Sequence, residues 1–149
     1  LDDKPETLGI EFISDVTGVD YNEGMLVACS NDFSFRVIKN DKTSEAIDVG
    51  SPILSVAVDP KGMYIALALC EGKISIRHTR DTEYGEVARV RAFDSFSDPD
   101  PTLPRAIMAW SKDGRFIFVP TKGSIKRLLR GEWEYLESGP VFTHPGFEQ

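Results

Sequence analysis

The 149-residue chain has only two cysteines, Cys29 and Cys70. Two thiols cannot build the disulfide framework of a small secreted domain, so a reducing compartment is expected. They lack C-x-x-C spacing, which removes the ordinary zinc pattern. Each reads as a small apolar residue near the second strand of its repeat. Histidine is as scarce: His78 and His144 are far apart and neither has helper residues beside it. A catalytic centre needs several convergent groups, and no such set is visible. No G-x-S-x-G, P-loop or G-x-G-x-x-G occurs. The carboxylates are scattered over turns, as on a solvated surface, and not paired as in a glycosidase. No catalytic residue, cofactor or metal ligand is assigned, and a non-enzyme is expected. Apolar runs are short: residues 64–70 fall far below the roughly 20 needed for a membrane helix. No signal peptide and no convincing amphipathic helix is visible. Cations are outnumbered, with 17 Lys and Arg against 24 Asp and Glu and a formal charge of −7. That balance does not support binding to a nucleic acid backbone, which needs clustered Lys and Arg. The chain begins at Leu1, so a processed or excerpted sequence is expected.

What the chain does contain is a repeat of short strands and tight turns. Residues 51–80 read SPILSVAVDPKGMYIALALCEGKISIRHTR. ILSVAV is apolar and partly β-branched. Asp59-Pro60-Lys61-Gly62 is a turn, because Pro presets φ and Gly supplies φ > 0. MYIALAL is a second apolar run, and Cys70-Glu71-Gly72 turns again. KISIRH then alternates, with Ile74 and Ile76 on one face and Lys73, Ser75 and Arg77 on the other. The first two strands read as buried on both faces and the third as half exposed.

The unit recurs. Asn22-Glu23-Gly24, Pro60-Lys61-Gly62 and Lys112-Asp113-Gly114 precede the runs MLVACS, MYIALAL and RFIFVP. Each run leads through a turn into an alternating strand, FSFRVI, KISIRH or SIKRLL, and fourth strands are expected at 45–49, 86–92 and 133–137. Gly24, Gly62 and Gly114 stand 38 and 52 residues apart. About 40–45 residues with four strands per repeat is the signature of a WD-repeat propeller blade. The fold class is therefore all-β: a WD-repeat β-propeller fragment of about three four-stranded antiparallel blades plus one flanking strand. The partial propeller covers residues 1–149. Residues 8–14 are the outer strand of a preceding blade, and 15–49, 50–92 and 105–138 are blades. Residues 93–104 are an Asp/Pro-rich insert, and 139–149 start a further connection. Propellers have about 4–8 blades, so the chain is expected to be a sector of a longer propeller, or else to assemble with copies of itself.

The segments DVTGVDYNEGMLVACSNDFSFRVI, SPILSVAVDPKGMYIALALCEGKISIRHTRDT and PRAIMAWSKDGRFIFVPTKGSIKRLLRGEWE occur in that order. Together they resemble consecutive blades of the N-terminal WD-repeat propeller of the acidic nucleoplasmic DNA-binding protein family, also called chromosome transmission fidelity protein 4. The third carries the resemblance furthest, through Ala109-Trp110, FIFVP, SIK and Trp133. The resemblance implies a nuclear, chromatin-associated replisome adaptor. It would link DNA polymerase alpha to the replicative helicase and support sister-chromatid cohesion. Oligomerisation in such proteins runs through regions absent here. The alternative is a WD-repeat scaffold of another nuclear complex, of the chromatin or ubiquitin-ligase type. There are departures from the repeat pattern. The WD dipeptide is replaced by Ile38-Lys39, Arg77-His78 and Leu128-Leu129. Arg127 stands at the parity of Val37 and Ile76, so the third strand there is either shifted or lets Arg127 snorkel.

In a propeller, partners dock on loops of one face or on blade edges. The turns between second and third strands carry Asp32, Glu71 and Lys122, and the loops entering the first strands carry Ser51 and Arg105. These five are the candidate partner-binding residues. Lys126 and Arg130, in a run with Lys122 and Arg127, project from one face of a strand. They read first as a solvated outer strand balancing Glu132, Glu134 and Glu137, and second as a contact for DNA or an acidic peptide. Phe12, Phe33, Phe35, Trp110, Phe116 and Phe118 fall at strand positions and read as core, because base stacking needs exposed rings beside a basic groove.

Overall fold

Turn residues with positive φ punctuate the chain and set where strands begin. The computed structural model describes residues 12, 15–92, 108–121, 124–136 and 142–143. Glu23 and Gly24, with φ of 49° and 75°, join β1 (Val16–Asn22) to β2 (Met25–Ser30). Asn40 and Asp41 likewise join β3 (Ser34–Lys39) to β4 (Lys42–Thr43). Two successive left-handed residues make the type I′ turn whose twist matches paired strands. A fifth piece, β5 (Ile47–Asp48), also pairs with β3. The second sheet is β6 (Ile53–Val58), β7 (Tyr64–Leu69), β8 (Lys73–His78) and β9 (Glu86–Arg91), paired in that order. The third is β10 (Ala109–Trp110), β11 (Phe116–Thr121), β12 (Ser124–Leu129) and β13 (Phe142–Thr143). All these pairings are antiparallel.

The second sheet is the middle layer, and its alternation divides the core. Ile53, Ile65, Leu67 and Leu69 join Met25, Val27, Cys29, Phe35 and Val37 of the first sheet in one buried cluster. Leu54, Ala66, Ala68, Ile74 and Ile76 join Ile117, Val119 and Leu128 of the third in another. Period-2 side chains on a sheet covered from both sides produce this split. The first strands of the sheets are tied by side chains. Thr17 Oγ1 donates to the Ile53 carbonyl at 2.6 Å, and Asp20 Oδ2 accepts from Val58 N–H at 2.7 Å. Trp110 Nε1 donates to the Ala57 carbonyl at 3.1 Å. Backbone groups of β6 that no ladder serves are satisfied in this way. Gly18 allows the approach: a Cβ there would lie 3.3 Å from Cys29 Sγ and 3.4 Å from Ser55 Cα.

Four expectations change. Strand β8 is not half exposed: Ser75 and Arg77 are buried, because the first sheet covers that face. The fourth strand of the first sheet is split. The Asn40-Asp41 turn returns the chain at once into β4, and Ser44 Oγ then accepts the Val37 N–H at 2.9 Å before β5 resumes the ladder. In the third sheet the described part of the strand expected at 133–137 makes one bridge, Leu128 to Tyr135, and β13 pairs with the start of β12. Left-handed Trp133 (φ 55°) bends the chain inward there. The β11–β12 register is unbroken, with Phe118 opposite Arg127, so no shift explains Arg127. Its guanidinium lies 5.5 Å from the Phe116 ring centre on the flank away from the second sheet. Residues 8–11, 13, 14 and 93–107 lie outside the described residues.

Burial pushes the Cys29 thiol up to about 11, against a hydrogen bond from Thr17 and one from its own backbone. Cys70 is only half-buried. A thiol reagent at about pH 8 is therefore expected to label Cys70 in the native protein and Cys29 only after unfolding. The unfolded Cys29 thiol ionises near 9.0. Stability tied to it is present below that value and lost as pH rises toward the folded one. Melting followed over this range should decline more steeply in the wild type than in Cys29→Ala, which keeps the alkaline loss tied to buried Tyr84 and half-buried Tyr135; equal declines would refute the assignment.

Candidate interaction face and the seams beneath it

Asp32, Ser51 and Glu71 are brought together at one end of the first and second sheets. The turn Asn31-Asp32-Phe33 leads into β3, and Cys70-Glu71-Gly72 leads into β8. The Val49 N–H donates to the Phe33 carbonyl at 2.8 Å, and the Cys70 N–H to the Pro52 carbonyl at 3.0 Å. Asp32 Oδ1 accepts from the Ser34 N–H at 3.1 Å and from its hydroxyl, the local bonding that makes Asp a turn residue. Ser51 is buried, and its hydroxyl donates to the Pro52 carbonyl at 3.3 Å, so its side chain offers nothing outward. Glu71 accepts from Arg89 Nη1 at 3.2 Å. Arg105 and Lys122 lie outside the described residues, as does His144.

Beneath this face, arginines hold the sheets together. Arg89 also donates through Nε to Glu86 at 2.8 Å and through Nη2 to the Val49 carbonyl at 3.1 Å, crossing from the second sheet to the first. Arg77 packs over the Phe35 ring, 5.8 Å from its centre, and donates to Ser75 Oγ at 3.1 Å and the Tyr84 carbonyl at 3.4 Å. Burial lowers the Arg77 pKa, and the charge of Glu86 opposes that. Burial also works against the Glu86 carboxylate. Hydrogen bonds from Ser75 and Arg89 and the charges of Arg89 and Arg77 outweigh it and hold Glu86 below its ordinary value.

The second seam overturns the outward reading of Arg130. Its guanidinium meets fully buried Asp59 with Nη1–Oδ1 at 3.0 Å and Nη2–Oδ2 at 2.9 Å, and Nη1 also donates to the Gly114 carbonyl at 3.0 Å. It stands over the Tyr64 and Trp110 rings at 4.8 and 5.6 Å. Trp133 closes the cluster edge-on to Tyr64 at 5.0 Å. Lys126 is half-buried and lines a groove of about 930 Å³ with Val90, Ala92, Trp133 and Tyr135. Strand parity places Lys126 and Arg130 on one face, but that face is the seam. Asp59 escaped notice because its turn bonds, from Lys61 N–H at 2.9 Å and Met63 N–H at 3.1 Å, account for it locally. No sequence signal joins it to a residue 71 positions away. Among the described residues no group of three or more His, Cys, Asp or Glu is placed to hold a metal ion. No helix among them is long and apolar enough to cross a membrane.

Solved structures share the fold of stacked antiparallel sheets. The structure of U3-55K and the crystal structure of RRP9 WD40 repeats each superpose on 90% of the chain, with a TM-score of 0.70 and 12% identity. They are matched over 41% and 40% of their own chains. The fold is that of WD-repeat propellers. Hydrazine synthase of Kuenenia stuttgartiensis also matches, over 93% of the chain and 41% of its own, at TM-score 0.66 and 14% identity. At such identities the likeness shows the fold alone. In sequence, the chain is 29% identical over 125 residues to "WD repeat and HMG-box DNA-binding protein 1" of Xenopus laevis, covering 80% of this chain and 11% of that protein. No family model matches. The chain therefore resembles WD-repeat proteins and spans a small part of this relative.

Two outcomes follow from the seams. Asp59→Ala leaves Arg130 without its anion, and breaking a buried pair costs about 3–5 kcal/mol. Equilibrium unfolding should show that loss, and a change below about 1 kcal/mol would mean the pair is replaceable by solvent. The Glu86 carboxylate contributes stability above its unfolded value of 4.5 that disappears as pH falls through its depressed folded value. Glu86→Gln should flatten the acid limb of a midpoint-against-pH curve, and an unchanged limb would assign acid sensitivity elsewhere.

Proposed function

We propose that the chain is a non-catalytic protein-interaction sector of a larger WD-repeat propeller, working as a replisome adaptor in the nucleus. The observation that carries this reading is the 29% identity to the Xenopus WD-repeat and HMG-box protein across 80% of the chain. The fold supports an interaction role, because rigid sheets present turns at fixed spacing. The larger-propeller reading is supported by the flank of the first sheet, where Val19 and Tyr21 are each 62% exposed. The equivalent flank of the second sheet is covered by its neighbour. In this reading the partners are replication proteins, DNA polymerase alpha and the replicative helicase. DNA contact has no support in the charge balance. The competing reading, a scaffold of a chromatin or ubiquitin-ligase complex, uses the same fold and the same face.

The test is alanine at Asp32, Glu71 and Arg105 together, with circular dichroism and melting to establish that the fold persists. Binding to polymerase alpha and helicase subunits is then measured by co-precipitation with the longer protein. Selective loss is expected. Unchanged binding with an intact fold removes the face assignment. Binding to chromatin or ubiquitin-ligase subunits in place of replication proteins selects the competing reading.

A further inference from the structure

Six non-glycine residues among those described have positive φ, and three of them are aromatic. The L side chain is strained there, and bulky residues are outliers. Two of the three offset the strain by burial. Tyr84 (φ 50°) is 6% exposed and meets Phe35 edge-on at 6.3 Å. Trp133 (φ 55°) packs between Tyr64 and Trp110. Their loops close alike, the His78 N–H reaching the Gly85 carbonyl and the Leu129 N–H the Glu134 carbonyl. Phe33 is different. Its φ is 77°, the residue is 41% exposed, and among the described residues its ring meets no aromatic or guanidinium partner. The matching third turn residue in the second sheet is Gly72, with φ 87°. That position of a three-residue hairpin loop calls for glycine. Among the described residues, Phe33 belongs to neither buried cluster.

We propose that Phe33 is a docking platform for the lysine or arginine side chains of an extended partner peptide. The charge around the ring selects this partner. Asp48 pairs opposite Ser34, and the Asp15 carbonyl accepts the Asn31 N–H at 3.1 Å, which brings both residues to this turn. Asp15 and Asp48 are exposed. Among the described residues, Arg89 lies at this end of the sheets and is held by Glu71 and Glu86. A cation over the ring face would gain the ring's quadrupole and the flanking carboxylates together. The platform is ordered before binding: the Val49 N–H holds the Phe33 carbonyl, and the Gly50 N–H bonds Asp48 Oδ1 at 2.7 Å. Little loop entropy is then lost on association.

This inference rests on the interaction-module reading but is tested separately. The full chain is titrated with blocked Gly-Arg-Gly-Arg-Gly peptide and with its glutamate counterpart, followed by NMR. Shifts centred on residues 32–34 and the Phe33 ring are expected with the arginine peptide alone. Phe33→Gly relieves strain, so melting should rise by about 2–4 °C while affinity for the arginine peptide falls about tenfold. A fall in melting temperature would show that the ring serves the fold and would overturn the proposal. Equal shifts from both peptides would also overturn it. Arginine-peptide shifts on another surface overturn it as well and leave the module reading standing, whereas the alanine triple tests the module reading itself.

Discussion

A sheet with apolar residues on both faces cannot stand alone, and everything else in this structure follows from that. In the second sheet Ile65, Leu67 and Leu69 face one way and Ala66 and Ala68 the other, all fully buried. Each large aliphatic side chain so placed contributes about 1.5–3 kcal/mol relative to exposure. The first and third sheets supply the cover, so the sheets stack by their faces with their turns gathered at shared ends. The turn-borne face is a by-product of this stacking. No turn residue had to be selected to bring Asp32 near Ser51 and Glu71.

The same stacking determines which charges remain for partners. Taking a cation from water is costly unless it is paired and hydrogen-bonded. Arg77, Arg89 and Arg130 all meet carboxylates within or across the seams. The seams thus consume arginines and withdraw Arg130 from the outer surface, while Glu71 stays exposed beside Arg89. Among the described residues near the candidate face, Asp15, Asp48 and the Phe33 ring are exposed, in a chain of net charge −7. A cationic partner fits that remainder better than an anionic one, which agrees with the weak case for a nucleic acid backbone.

Strain is distributed by the same logic. Tyr84 and Trp133 occupy unfavourable backbone positions in the loops before the fourth-strand positions of their sheets, and each drives its ring into the seam with the preceding sheet. The corresponding turn of the first sheet carries Asn40 and Asp41, which tolerate the left-handed region through short polar side chains. That turn carries no ring, and Val19 and Tyr21 remain exposed on the outer flank of the sheet. At Phe33 no such ring packing is seen among the described residues.

The strands and their order were legible in the sequence because both are local. Val, Ile, Phe and Ala at period 2, broken by Gly24, Gly62 and Gly114, place β2, β3, β6, β7, β8, β11 and β12 to within a residue or so. The turn chemistry of Asp32 and Asp59 was equally readable, since an Asx bond spans two residues. What the tertiary structure decided is whichever property depends on a neighbour far along the chain. Ser75 and Arg77 alternate as an exposed strand face would, and only the first sheet makes that face a seam. Asp59 and Arg130 look like a turn acid and a surface base, and only the docking of the third sheet on the second makes them a buried pair. Parity along a strand says which side chains share a face. It carries no information about what covers that face, because the cover arises from contacts at long sequence separation.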